Sequence, residues 1–181
     1  MYIDHHTLVY LVKLSGCLGA GMCMGFGAIG SSYGIGSTGK GAIAGIARQP
    51  KVSGDLTKTM LIGQAVTESP AIFALVTAIL LLFMEPKIPH VDPSLNNWPV
   101  YANVFAYMCA LIGAGISMGF AAFGPGVGDG IASDAACEAV ARTPEERGSI
   151  MRTMLIGQAT AQSTSVYGFV ISLCLIYLTA P

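Results

Sequence analysis

From about Thr57 to Met84 the chain is apolar almost throughout, and one acid, Glu68, sits in the middle of the run. Apolar stretches of 18 residues or more are long enough to cross a bilayer as helices. Three other stretches have this character: Leu8 to about Ile35, diluted by glycine; Val100 to Phe123, continuing weakly to Val140; and Ile150 to Leu178, uncharged past Arg152. Backbone in lipid must satisfy its own hydrogen bonds, so these runs are expected to be helices rather than loops. The alternating pattern of a membrane barrel is absent. The expected fold is an all-α membrane protein of four transmembrane helices. With 53% hydrophobic and 10% charged residues, the chain has little with which to solvate a soluble surface.

The four runs are two copies of one unit. At an offset of 94 residues, without gaps, Thr59–Ala65 recurs unchanged as Thr153–Ala159. Ala47, Arg48 and Pro50 recur as Ala141, Arg142 and Pro144. Self-similarity of this kind marks duplicated architecture. The expected division is a hairpin over 1–84, an external linker over 85–99 and a second hairpin over 100–181. Each unit has two helices, so the copies run parallel; alternating-access transporters often use inverted repeats instead. Parallel copies related by an axis along the membrane normal suit a ring. Seven of the nine Lys and Arg flank the two hairpin turns, which places the turns in the cytoplasm and the termini and linker outside. The N-terminus begins acidic rather than basic, so a retained first helix is expected rather than a cleaved signal.

The first helix of each unit is rich in glycine, including the pairs Gly21/Gly25, Gly30/Gly34 and Gly41/Gly45. Glycine costs about 1 kcal/mol per helical position in water, and membrane helices accept it where backbones approach closely. Glycine-rich inner helices and Leu-, Ile-, Val- and Phe-rich outer helices facing lipid are therefore expected. The five cysteines read as small packing residues.

Two acids fall deep in these helices, Glu68 and Asp129. An ionisable group at mid-bilayer costs about 3 kcal/mol on insertion scales and marks a functional site. The bland reading is a protonated acid bonding a neighbouring helix; it weighs more for Asp129, whose glycine-rich surroundings are easier to hydrate. Positions equidistant from a hairpin turn lie at one level. This puts Glu68 level with Ile35 and Gln162 level with Asp129. Across the repeat, Gln162 replaces Glu68 and Asp129 replaces Ile35, so the acid has changed helix. No Lys or Arg shares that depth, and each acid needs a proton or a bound cation in lipid. That is ion-carrier chemistry. No nucleophile–base pair, phosphate loop or metal-ligand cluster appears, so no catalytic residues are expected. No cofactor is expected either, and the net charge of −1 argues against nucleic acid.

The segments Ala47–Pro50 (ARQP) and Gly63–Ser69 (GQAVTES) resemble the c subunit, or proteolipid, of F-type ATP synthases. The resemblance covers both hairpins, and the duplicated form is similar to the V-type arrangement. It implies a rotor-ring subunit in a bacterial inner membrane, carrying ions past a stator a subunit whose arginine displaces them. It implies that the turns at Arg48, Gln49, Pro50, Arg142 and Pro144 contact the central stalk. It implies an ion site drawn from Glu68, Asp129, Gln162, Ser69, the carbonyl of Val66, Ser163, Thr164 and Tyr167. The transported ion is expected to be a proton. Sodium is the alternative, with Glu68, Asp129 and Gln162 as candidate ligands. The family's sodium pattern is broken at Ile35, Pro70 and Phe73 in hairpin one, and at Gln162 in hairpin two. The competing functions are a small autonomous ion-coupled transporter and a structural proteolipid.

Overall fold

The computed structural model describes residues 5–84 and 98–178. Its four long helices are α1 (His5–Arg48), α2 (Ser53–Phe83), α3 (Trp98–Arg142) and α4 (Arg147–Leu178). All four are long and apolar enough to cross a membrane. At 1.5 Å per residue, α1 and α3, with 44 and 45 residues, reach about 65 Å, twice the hydrocarbon thickness. Neither inner helix stops where the hydropathy fades; both run on to the basic turn. Trp98 and Pro99, counted with the linker on sequence, belong to α3, and the rest of that linker lies outside the described residues.

The turns are built alike because the repeat gives them the same chemistry. Pro50 and Pro144 push the preceding residue out of the helical region, so Gln49 (φ −137°, ψ 79°) and Thr143 (φ −135°, ψ 76°) end α1 and α3. One 3₁₀ turn, Pro50–Val52 or Pro144–Glu146, then leads into the next helix. Arg48 and Arg142 occupy the last helical turns, where a cation complements the helix dipole.

The two glycine-rich helices pack directly against each other. A methyl group added at Gly19, Gly30 or Gly34 would meet backbone of α3, and one at Gly115, Gly126 or Gly130 would meet backbone of α1. Between lipid-embedded helices there is little hydrophobic drive, so close van der Waals contact must supply the association. α4 packs mainly on α3, whereas α2 packs on both α1 and α3, so the two hairpins are joined by their inner helices and by α2. An apolar cluster including Val12, Cys23, Tyr107, Met118 and Ile176 fills the end remote from the turns. A smaller one around Leu56, Cys137 and Val140 closes the turn end. Between them the buried side chains are polar: Thr38, Thr67, Asp129, Ser133 and Gln158. Cys23 and Cys137 are buried; Cys17, Cys109 and Cys174 are exposed, and all five are free thiols.

Gly30→Leu drives a large side chain into the backbone of α3 and should cost the fold more than the ~1–3 kcal/mol of ordinary overpacking. Gly54→Ala, where nothing lies nearby, should be neutral or stabilise by up to about 1 kcal/mol. Denaturant titration of the detergent-extracted protein by circular dichroism reads both; equal effects would contradict this packing.

Candidate functional site

Asp129 lies on α3 and is 1% exposed, yet its side chain reaches the second hairpin's outer helix. The Gln162 amide nitrogen donates to Asp129 Oδ2 at 3.1 Å and to the Val66 carbonyl oxygen at 2.8 Å. One amide thus joins α4 to α3 within its own hairpin and to α2 of the other. The level matching of Asp129 with Gln162 holds. No corresponding contact joins Glu68 to Ile35 among the described residues. Glu68 is exposed on the outside of α2 and has no ion-pair partner there.

The Val66 carbonyl is available because of Pro70. In a regular helix that oxygen accepts from the N–H four residues on, and proline has none. Gln162 supplies the missing donor. The same device recurs in α3: Pro125 frees the carbonyl of Ala121, and Ser165 Oγ donates to it at 3.0 Å. Pro70 breaks the family's sodium pattern on sequence; structurally it exposes a backbone oxygen beside Asp129. A proline four residues beyond a carbonyl near an acid is a signal that could have revealed this.

A second glutamine completes the surroundings of Asp129. Gln158 Nε2 donates to the Asp129 backbone carbonyl at 3.1 Å and to Ser133 Oγ at 2.8 Å. Its counterpart Gln64 donates to the Ile35 carbonyl at 3.2 Å. A helical side chain leans toward its N-terminus while its carbonyl points the other way, so the carboxyl and the carbonyl of Asp129 meet glutamines one turn apart. Gln64 and Gln158 are not among the expected site residues, although both fall inside the repeated heptapeptide. Buried Asp129 Oδ1 and Gln158 Oε1 have no hydrogen-bond partner among the described residues. Unmet buried acceptors are costly, and a proton donor or cation would satisfy them.

Other expected site residues are placed differently. Ser69 is half-buried and makes no side-chain hydrogen bond among the described residues. Ser163 and Thr164 donate to backbone of their own helix, at Thr160 (2.8 Å) and Ala161 (3.0 Å). Tyr167 is 65% exposed. Sequence reasoning counted two deep acids and passed over Asp134, five residues beyond Asp129. Its Oδ2 accepts from Ser37 Oγ at 3.3 Å, and its buried Oδ1 is unpartnered among the described residues. At the turns, Arg48 pairs with Glu138 at 3.5 Å, Glu138 also meets Arg142 at 3.5 Å, and Arg147 pairs with Asp55 at 3.2 Å. Gln49 and Pro50 are exposed and Pro144 is half-buried. Among the described residues no group of three or more His, Cys, Asp or Glu side chains is placed to hold a metal ion.

The sequence pattern of the ATP synthase c subunit family matches twice, over residues 18–81 and 112–175. The two matches are offset by the repeat length. The chain is 52% identical over 79 residues to the ATP synthase c subunit of Petrotoga mobilis, covering 44% of this chain and 79% of that protein. It is 53% identical over 66 residues to the Alkaliphilus oremlandii protein of the same name, covering 36% and 74%. It is 43% identical over 75 residues to the chloroplastic ATP synthase c subunit of Euglena gracilis, covering 41% and 93%. Most of each relative therefore corresponds to one hairpin. With its family pattern matched in both hairpins, the chain is an integral membrane protein that belongs to the ATP synthase c subunit family.

Proposed function

We propose that this protein is a rotor-ring subunit of an ATP synthase, carrying ions on mid-membrane carboxyl groups and coupling their passage to rotation. The observation that carries this reading is Glu68. An ionisable side chain stands exposed on the outer face of a membrane helix, with no cation among the described residues to neutralise it. Such a group is stable in lipid only with a bound proton or cation, and it must release that ion where a partner offers water or positive charge. In this reading the partner is a stator a subunit bearing an arginine. The exposed turns at Arg48–Pro50 and Arg142–Pro144 face the cytoplasm and meet the central stalk, in a bacterial inner membrane.

Asp129 and Gln162 form a second, exchanged ion site with the Val66 carbonyl. Asp129 Oδ2 and the Val66 oxygen are bridged by the nitrogen of Gln162, a hydrogen donor standing where a cation would stand. That arrangement favours the proton. Sodium would need the Gln162 amide turned over, so that its oxygen joined the other two. At Glu68, Ile35 offers no side-chain oxygen on the inner helix.

Glu68→Gln should abolish ion-coupled ATP synthesis in reconstituted vesicles while rings still assemble; a fully coupled mutant would contradict the role of Glu68. Carboxyl-reactive carbodiimide should label the ring at a rate insensitive to sodium at fixed pH, and strong protection by millimolar sodium would reverse the choice of ion. Asp129→Asn keeps the shape and removes the ionisable proton. It should impair coupling almost as severely as Glu68→Gln, because every site must pass the stator. Normal ATP-driven pumping by that ring, at an unchanged ion-to-ATP ratio, would show hairpin two to be silent.

A further inference from the structure

The two turns share a backbone and differ in charge. Gln49 and Thr143 leave their helices at nearly the same angles, a proline follows each, and one 3₁₀ turn leads on. Within those 3₁₀ turns, Lys51 and Val52 of the first stand where Glu145 and Glu146 stand in the second. Lys51, Glu145 and Glu146 are all exposed, and none has an ion-pair partner among the described residues. Neighbouring charges are spent inside the chain. Glu138 lies 3.5 Å from both Arg48 and Arg142. Asp55 lies 3.2 Å from Arg147 and 3.9 Å from Lys58. The tips are left with a cation on the first turn and two carboxylates on the second.

The helix dipoles account for the carboxylates and not for the cation. An acid at a helix N-terminus is favourable, and a cation there is not. Glu145 and Glu146 lead into α4, which begins at Arg147, so they suit the helix that follows them. Lys51 leads into α2, which begins at Ser53, and stands against that dipole. The C-terminus of α1, which favours a cation, already holds Arg48. Nothing within the chain holds Lys51 where it is.

Depth separates the two kinds of anion within reach of a cation at this end. Lys58 is ten residues from Glu68 along α2, or about 15 Å, which is half the hydrocarbon thickness when Glu68 is at mid-bilayer. Lys58 and its counterpart Arg152 therefore reach lipid phosphates. Ser53 is fifteen residues from Glu68, about 22 Å, which already brings it to the edge of the headgroups. Lys51 lies beyond that, where a protein surface is the anion available.

We infer that the first turn of each chain is the docking point for a protein surface bearing carboxylates, and that the second turn is not. Lys51 faces those carboxylates, joined by Arg48, whose exposed pair with Glu138 is weak enough to be exchanged. Glu145 and Glu146 repel the same surface. Charges placed in this way select between surfaces more than they add affinity. The inference rests on the rotor reading, in which the turns meet the central stalk, and it assigns the grip to one turn in two.

The test is cross-linking, in membranes carrying the assembled synthase, by a water-soluble carbodiimide, which joins a lysine amine to a carboxyl group with loss of water. Mass measurement of the peptides identifies the linked residues. Lys51 should be joined to a carboxylate of a central-stalk subunit, with no link from Glu145 or Glu146 to a stalk lysine. Three results would overturn the inference and leave the rotor reading intact: stalk links from Glu145 or Glu146 in comparable yield, no Lys51 link in membranes that make ATP from an ion gradient, or Lys51 linked instead to an acidic phospholipid. A second measurement uses charge reversal at these exposed positions. Lys51→Glu should lower ion-coupled ATP synthesis about tenfold or more at unchanged ring yield, and Glu145→Lys should not lower it. Equal losses in the two variants would again remove the distinction between the turns. A chain found in its membrane without any other synthase subunit overturns the rotor reading and the docking point together.

Discussion

The contact between the backbones of α1 and α3 sets the position of everything else. In lipid, apolar side chains gain little by meeting one another, so helices associate where they pack closely and where polar groups find partners. Glycine on both helices lets the backbones touch over several turns. That leaves no room for α2 and α4 between them, and the outer helices settle into the flanking grooves. Asp129 is held on the inner layer, with its side chain aimed outward between α2 and α4. A larger residue in the seam would separate the hairpins, and the amide of Gln162 could no longer span from Asp129 to Val66.

Lipid also dictates how the polar residues are spent. Most hydroxyls bond a carbonyl of their own helix three or four residues back, as do Thr38, Thr59, Thr67 and Thr77. The bonds that cross between helices are fewer and fall mostly on carbonyls: Ser31 on Thr67, Gln64 on Ile35, Gln158 on Asp129, Gln162 on Val66, Ser165 on Ala121. Two of the acceptors, Val66 and Ala121, are free because a proline follows four residues later. The prolines thus do more than interrupt the bonding of α2 and α3; they turn a backbone group into a point of attachment between helices.

Much of this was legible because hairpin geometry is simple. The repeat fixes two identical units, the proline turns fix where each reverses, and counting from the turn brings Gln162 to Asp129. Counting gives level and not rotation. The 44 residues of α1 let any error in residues per turn accumulate over a dozen turns, so facing partners far from the turn cannot be read from spacing. That is why Gln158 and Gln64 were passed over in favour of the residue one turn away, and why the pairing of Arg147 with Asp55 was invisible. The first depends on how the two helices of one hairpin turn about their axes, the second on how the hairpins sit side by side. Asp134 was missed for another reason. It lies where the hydropathy of α3 has already faded, and only the continuous helix shows that it is packed against α1 through Ser37.

Fusion of two hairpins in one chain removes a constraint that identical single hairpins obey. In a ring of single hairpins every seam is the same, so a residue that improves one seam must be tolerated in all. Here the seam inside the chain and the surface left outside it carry different residues at equivalent places. Glu138 stands opposite Arg48 within the chain, while its counterpart Ala44 has no charge to offer Arg142. Asp129 faces Gln162 within the chain, while Ile35 leaves the acid to Glu68 on the outer helix. The acid has therefore moved inward at the position enclosed by the chain itself and stayed outward at the position exposed on it. An enclosed carboxyl group can be held by fixed donors such as the Gln162 amide. An exposed one has no such donor among the described residues of its own chain.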